Sequence, residues 1–132
     1  MRSCYLRSVA LALSAAVVGC SSEGPVPTYA DRPFCRPDLQ LTVGAGTTPT
    51  FAWNAECRVW TLRVDQVATG TEMWTVGEDD ESFDGPVVYG QIPTGAGEFG
   101  PARPLEPGVR YRALLVQRSN GGRVLTETQF TP

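Results

Sequence analysis

From Asp38 to Pro132 apolar residues recur at every second position in short runs, and glycine, proline or asparagine separates one run from the next. Alternation over four to eight residues marks a half-buried strand, because successive side chains leave a strand on opposite faces. Leu39, Leu41 and Val43 share one face; after a turn at Gly44 to Pro49, Phe51 and Trp53 share another. In Arg58 to Val67, Trp60, Leu62 and Val64 are expected to point inward, with Arg63 and Asp65 outward. Ala68-Thr69-Gly70 interrupts that run before Glu72 to Val76, so the two runs read as a hairpin. Val87 to Ile92 is a further short strand. Val109, Tyr111, Ala113 and Leu115 alternate with outward Arg110, Arg112 and Arg118. Asn120-Gly121-Gly122, residues that tolerate positive φ, form a hairpin turn before Arg123 to Phe130. In that last run Val124, Thr126, Thr128 and Phe130 are placed on one face. Gly77 to Gly85 is an acidic loop, and Pro93 to Pro104 is a loop with an irregular edge at Phe99. No stretch of ten residues carries a helical period. The pattern predicts an all-β fold: an antiparallel two-sheet sandwich of about seven strands.

The first 37 residues break this pattern. Met1 to Arg7 carries Arg2 and Arg7 and no acid, and Ser8 to Val18 is small and apolar. That run has the length of a signal-peptide core and falls short of the roughly 20 apolar residues of a membrane span. It ends in Val17-Val18-Gly19-Cys20. This box resembles the signal of bacterial lipoproteins, in which the cysteine sulfur becomes a thioether to diacylglycerol and the chain is cut before it. The resemblance implies a cleaved leader at residues 1–19, lipidation at Cys20 and attachment to membrane lipid. A single acyl chain holds a protein only marginally, whereas two or more hold it stably. Ser21 resembles the outer-membrane default of Gram-negative lipoproteins rather than the aspartate typical of inner-membrane retention. A plain secretory signal with an unrelated cysteine is the alternative. Residues 20–37, with Ser21, Ser22, Gly24, Pro25, Pro27, Pro33 and Pro37, read as a semi-extended tether, and residues 38–132 as the sandwich.

Leu105-Glu106-Pro107-Gly108-Val109-Arg110-Tyr111 resembles the entry to strand F of fibronectin type III domains and of related immunoglobulin-like sandwiches. Pro107 and Gly108 set a turn, and Tyr111 is expected to pack its ring inward while its hydroxyl bonds backbone upstream. Trp53 resembles that family's core tryptophan of strand B. The chain departs from the pattern between Gly77 and Pro104, where long loops surround a short strand. Cysteine usage fits the compartment that the leader implies. Cys4 leaves with the leader and Cys20 takes the lipid, so Cys35 and Cys57 remain as an even pair where disulfides persist. In a sandwich of the resembled topology both fall at one end, and a bridge is geometrically plausible; two free thiols are the alternative.

Charge and residue chemistry narrow the function classes. Loss of Arg2 and Arg7 with the leader leaves nine arginines against fourteen acids, a net charge of −5. Such a surface argues against nucleic acid as the main partner. The chain has no histidine, which rules out Ser-His-Asp and Cys-His arrangements, and no enzyme activity is expected. No cofactor is expected. Two cysteines without histidine do not complete a tetrahedral zinc site unless carboxylates join them. Asp80, Ser82, Asp84 and Gly85 match the first half of a calcium loop, but Pro86 follows and Gln91 stands where the bidentate glutamate belongs, so this is a weak calcium candidate. Trp53 and Trp60 are assigned to the core, and Trp74 and Tyr89 to an exposed binding surface. The functional expectation is a noncatalytic, lipid-anchored binding or scaffolding module of the cell envelope, with an envelope protein or glycan as partner. The alternative is a glycan-binding or calcium-dependent accessory domain.

Overall fold

A computed structural model of the chain describes residues 32–54, 56–78, 84–118 and 122–132. The leader, Cys20 and the tether as far as residue 31 lie outside them. Among the described residues eight strands occur in chain order: β1 (Leu41–Val43), β2 (Thr50–Trp53), β3 (Thr61–Gln66), β4 (Glu72–Gly77), β5 (Val87–Val88), β6 (Gly97–Gly100), β7 (Tyr111–Gln117) and β8 (Arg123–Phe130). They form two antiparallel sheets, β1-β2-β5 and β6-β4-β3-β7-β8, packed as a β-sandwich. The extra strand over the expected count is β6, drawn from the segment read as a loop. The strand expected over Val87 to Ile92 is only two residues long, because the chain turns at Gly90 with φ of 75°.

The period-two runs explain the inner faces. Leu62 and Val64 of β3, Trp74 and Val76 of β4, and Tyr111, Ala113 and Leu115 of β7 all point between the sheets. Leu39, Leu41, Phe51 and Val87 meet them from the other side. Phe51 has its neighbours' rings at 6.5 Å (Trp74), 6.4 Å (Tyr89) and 5.9 Å (Phe130). Trp53 packs against the edge of this core, its ring lying over Gly85, where an added Cβ would stand 3.0 Å from the indole. Tyr111 is buried, and its hydroxyl accepts a hydrogen bond from the Glu106 N–H at 3.0 Å, the upstream backbone contact expected of it.

A bulge and a tight turn correct two of the expected faces. A slipped register re-aims every side chain beyond it. Between Leu115 and Val116 the β7–β8 ladder shifts: Leu115 faces Thr126, but Val116 faces Val124. Val124 is therefore turned to the outer face, away from Thr126, Thr128 and Phe130, while Leu125 packs against the core. Trp60 also departs from its expected place. It precedes β3 after a tight turn in which the Val59 N–H donates to the Cys57 carbonyl, so Val59 fills the core and Trp60 lies on the outer face.

Residues 32–37, expected within the tether, are fastened to the sandwich. Cys35 and Cys57 form a disulfide across 22 residues of sequence. The Arg58 N–H donates to the Pro33 carbonyl at 3.0 Å, and buried Arg32 grips Asp84. Cross-linking a loop of this length stabilises by about 3 kcal/mol in the chain-entropy account. Replacing both cysteines (Cys35→Ser with Cys57→Ser) is expected to lower the unfolding free energy by about that amount, read as a lower urea midpoint. An unchanged midpoint would show that the bridge contributes nothing.

Candidate functional site

The expected surface pair is not at the surface. Trp74 is 0% exposed and Tyr89 6%, which corrects their assignment to a binding face. Trp74 lies on the inward face of β4 in register with Val64, and its Nε1 donates to Glu98 Oε1 at 3.1 Å. Tyr89 stacks edge-on against it at 5.2 Å. The one proton of the Tyr89 hydroxyl lies between the carbonyl oxygens of Arg103, at 2.7 Å, and Met73, at 3.1 Å. Burial pushes this phenol up to about 12. Of the calcium candidates, Asp80 and Ser82 lie outside the described residues. Asp84 is described, and both its carboxylate oxygens take hydrogen bonds from the Arg32 guanidinium, one at 2.6 Å. Cys35 and Cys57 are joined, as described above, and Cys20 is outside the described residues.

The outer face of the five-stranded sheet is where chemistry collects. The same alternation that sends Leu62 and Val64 inward sends Arg63 and Asp65 outward, two residues apart on one face of β3. Asp65 is 0% exposed, an unusual state for a carboxylate. It is held by a fork from Arg63, Nε to Oδ1 at 2.8 Å and Nη2 to Oδ2 at 2.7 Å. Arg112, its cross-strand partner on β7, adds a weaker contact at 3.4 Å. The Asp65 hydrogen bond holds the Arg63 proton more tightly than usual. Beside this cluster the Glu72 carboxylate lies over Gly100, where any side chain would place its first carbon 2.1 Å from Oε1.

A groove of about 600 Å³ runs over this face, with Leu114 and Val116 in its floor and Glu72 and Glu127 among its charged groups. Phe99 and Val124 line it from opposite margins of the sheet and are 51% and 49% exposed. Each owes its position to a bulge: at Phe99 the β4–β6 register passes from Glu98 to Gly100 without pairing it. Trp60 is set in the groove by its backbone. Its N–H donates to the Val116 carbonyl at 2.8 Å, and its carbonyl accepts from Glu78 at 3.2 Å.

Among the described residues four side-chain polar atoms are buried without a hydrogen-bond partner, and three belong to residues lining this groove: Trp60 Nε1, Thr75 Oγ1 and Arg112 Nε. Burying such a group unpaired costs about 1–3 kcal/mol, so three on one face call for an explanation. Alternation alone marks Arg63, Asp65 and Arg112 as outward; the groove they border was hidden, because it depends on the bulges that turn out Phe99 and Val124 and on the turn before Trp60.

Two tests follow from these placements. Asp65→Ala strands two arginines beside each other on one sheet face. It is expected to cost about 2 kcal/mol, below the 3–5 kcal/mol of a fully buried pair because both guanidinium groups reach solvent. A urea midpoint equal to that of the parent protein would refute the assignment. For Tyr89, the unfolded chain ionises near pH 10 while the folded phenol keeps its proton to about pH 12. Above pH 10 the unfolded state thus binds fewer protons, and stability is expected to fall as pH rises from 10 to 12. Tyr89→Phe should flatten that part of the stability profile, measured by denaturant unfolding at fixed pH values.

No family model matches the chain, and neither does any curated protein or any solved structure.

Proposed function

We propose that this chain is a noncatalytic recognition module of the cell envelope, anchored through a lipidated Cys20 and working through the outer face of its five-stranded sheet. The observation that carries the reading is that face itself. It exposes Phe99 and Val124, fixes arginines and carboxylates between them, and has no strand of the described chain packed over it. Aromatic residues and arginine around a partly apolar groove are the composition of binding surfaces. The absence of histidine from the chain supports a binding role over acid–base catalysis. The leader ending in Val17-Val18-Gly19-Cys20 supports the anchor and, with Ser21, an outer-membrane address in a Gram-negative cell. The division into sheets of three and five strands, with the Tyr111–Glu106 contact, supports a fibronectin type III-like relationship.

The reading is tested by placing a photo-crosslinking amino acid at position 124 or, as a control, at position 69 in the exposed β3–β4 turn, in cells that also carry a clickable palmitate analogue. Adducts from position 124 that are absent from position 69, on a protein that takes the lipid label and loses it in Cys20→Ala, are the expected result. Equal, scattered background from both positions would end the case for this face, and a label that survives Cys20→Ala would end the case for the anchor.

A further inference from the structure

We infer that the groove on the outer sheet face binds a neutral glycan strand. The inference rests on the reading of that face as a recognition surface and names the ligand class it takes. Three features of the groove converge on sugar chemistry.

The first is the pair of aromatic rings. Trp60 lies within the groove and Phe99 at its margin on β6. Pyranose rings present an apolar face of C–H groups that packs flat on such rings. Phe99 on β6 and Val124 on β8 are four strand spacings apart, about 19 Å, which suits a short oligosaccharide laid across the strands.

The second is the set of unpaired polar atoms. Trp60 Nε1 and Arg112 Nε are donors only, and Thr75 Oγ1 both donates and accepts. Thr75 is 92% buried in the groove wall, its residual exposure being 8%. Glu72 and Glu127 supply acceptors in the same groove. A wall of mixed donors and acceptors matches a ligand whose groups do both, and the hydroxyl is that group. These atoms have essentially no accessible surface in the free protein, and a small turn of the partly buried Trp60 and Arg112 side chains brings them to ligand hydroxyls in the groove.

The third is charge balance. The arginines of the groove, Arg63 and Arg112, share Asp65, and Glu72 and Glu127 stand beside them. Among the described residues, two arginines against three carboxylates leave no unopposed cationic patch for a phosphate or a sulfated chain. A neutral polymer of hydroxyl-bearing rings meets no repulsion there, and the carboxylates of Glu72 and Glu127 accept from its hydroxyls.

The full chain, extracted in detergent, is titrated with cellohexaose, chitohexaose and a heparin hexasaccharide, following tryptophan fluorescence and the methyl resonances of Leu114 and Val124. Saturable binding of at least one neutral hexasaccharide, with perturbation of both methyl groups and no binding of heparin, is expected. Phe99→Ala is expected to weaken it at least tenfold, and Trp60→Phe, which keeps a ring and removes the Nε1 donor, about fivefold. Phe34→Ala, an exposed aromatic outside the groove, should leave affinity unchanged. Because Phe99 is half exposed, its variant tests the site even if Trp60→Phe fails to fold. Binding that survives Phe99→Ala at full strength, or tighter binding of heparin, overturns the proposal. So does failure of both neutral sugars. If adducts still form from position 124 in that case, the face recognises another class of partner and only the glycan assignment falls; if they do not, the recognition reading falls with it.

Discussion

The contact on which the sandwich depends is Phe51 between its two sheets. The smaller sheet is made of strands of three, four and two residues, too short to hold together by their own ladders. Phe51 is fully buried and brings that sheet against Trp74 and Phe130 of the larger one, with the ring of Tyr89, next to β5, beside it. Aromatic pairs at such distances contribute about 0.5–1.5 kcal/mol each beyond the area they bury. At the open margin between β1 and β8, Thr128 Oγ1 donates to the Leu41 carbonyl at 2.6 Å, a polar stitch from one sheet to the other.

Three of the buried aromatics also organise the long connection from β5 to β7. Each keeps a polar group at its far end, and each of those groups finds the connection. Tyr89 donates to the Arg103 carbonyl, Trp74 to Glu98, and Tyr111 accepts from Glu106. Glu98 in turn accepts from the Ala102 N–H at 3.3 Å. A stretch rich in glycine and proline, with little apolar surface of its own, is thus seated by the polar ends of side chains whose rings lie in the core. This is why Phe99 has a defined place on the outer face although most of its surroundings are turn.

Much of the architecture is legible in the order of residues. Alternation assigns Leu62, Val64, Tyr111, Ala113 and Leu115 to the core, and Gly70 punctuates the β3–β4 hairpin. The Pro107-Gly108 turn leads to the Tyr111 contact. What alternation misplaces lies next to a break in register, as for Val124, or a tight turn, as for Trp60. A bulge adds one residue without altering composition, so nothing in the run Val124 to Phe130 distinguishes the observed pairing from an unbroken one. Trp74 and Tyr89 illustrate a second limit. An aromatic ring with a polar tip suits a core that offers the tip an acceptor and suits a wet surface equally well, and the choice is made by acceptors distant in sequence, the Glu98 carboxylate for Trp74 and the Arg103 and Met73 carbonyls for Tyr89. Asp65 is outward by parity, but its complete burial comes from Arg63 and Arg112 closing over it, a result of side-chain length that periodicity does not encode.

The disulfide has a mechanical meaning under the proposed N-terminal anchor. β1 and β2 both lie between Cys35 and Cys57 in the chain. A pull arriving through Arg32 therefore passes at Cys35 across the covalent bridge to Cys57 and on into β3, which is flanked by β4 and β7 in the larger sheet. The three residues of β1, which would otherwise be peeled away first, are spliced out of the load path. Tension is carried by a strand paired along both edges, while the short strands of the smaller sheet that lie between the cysteines, β1 and β2, sit inside the closed loop, off the path.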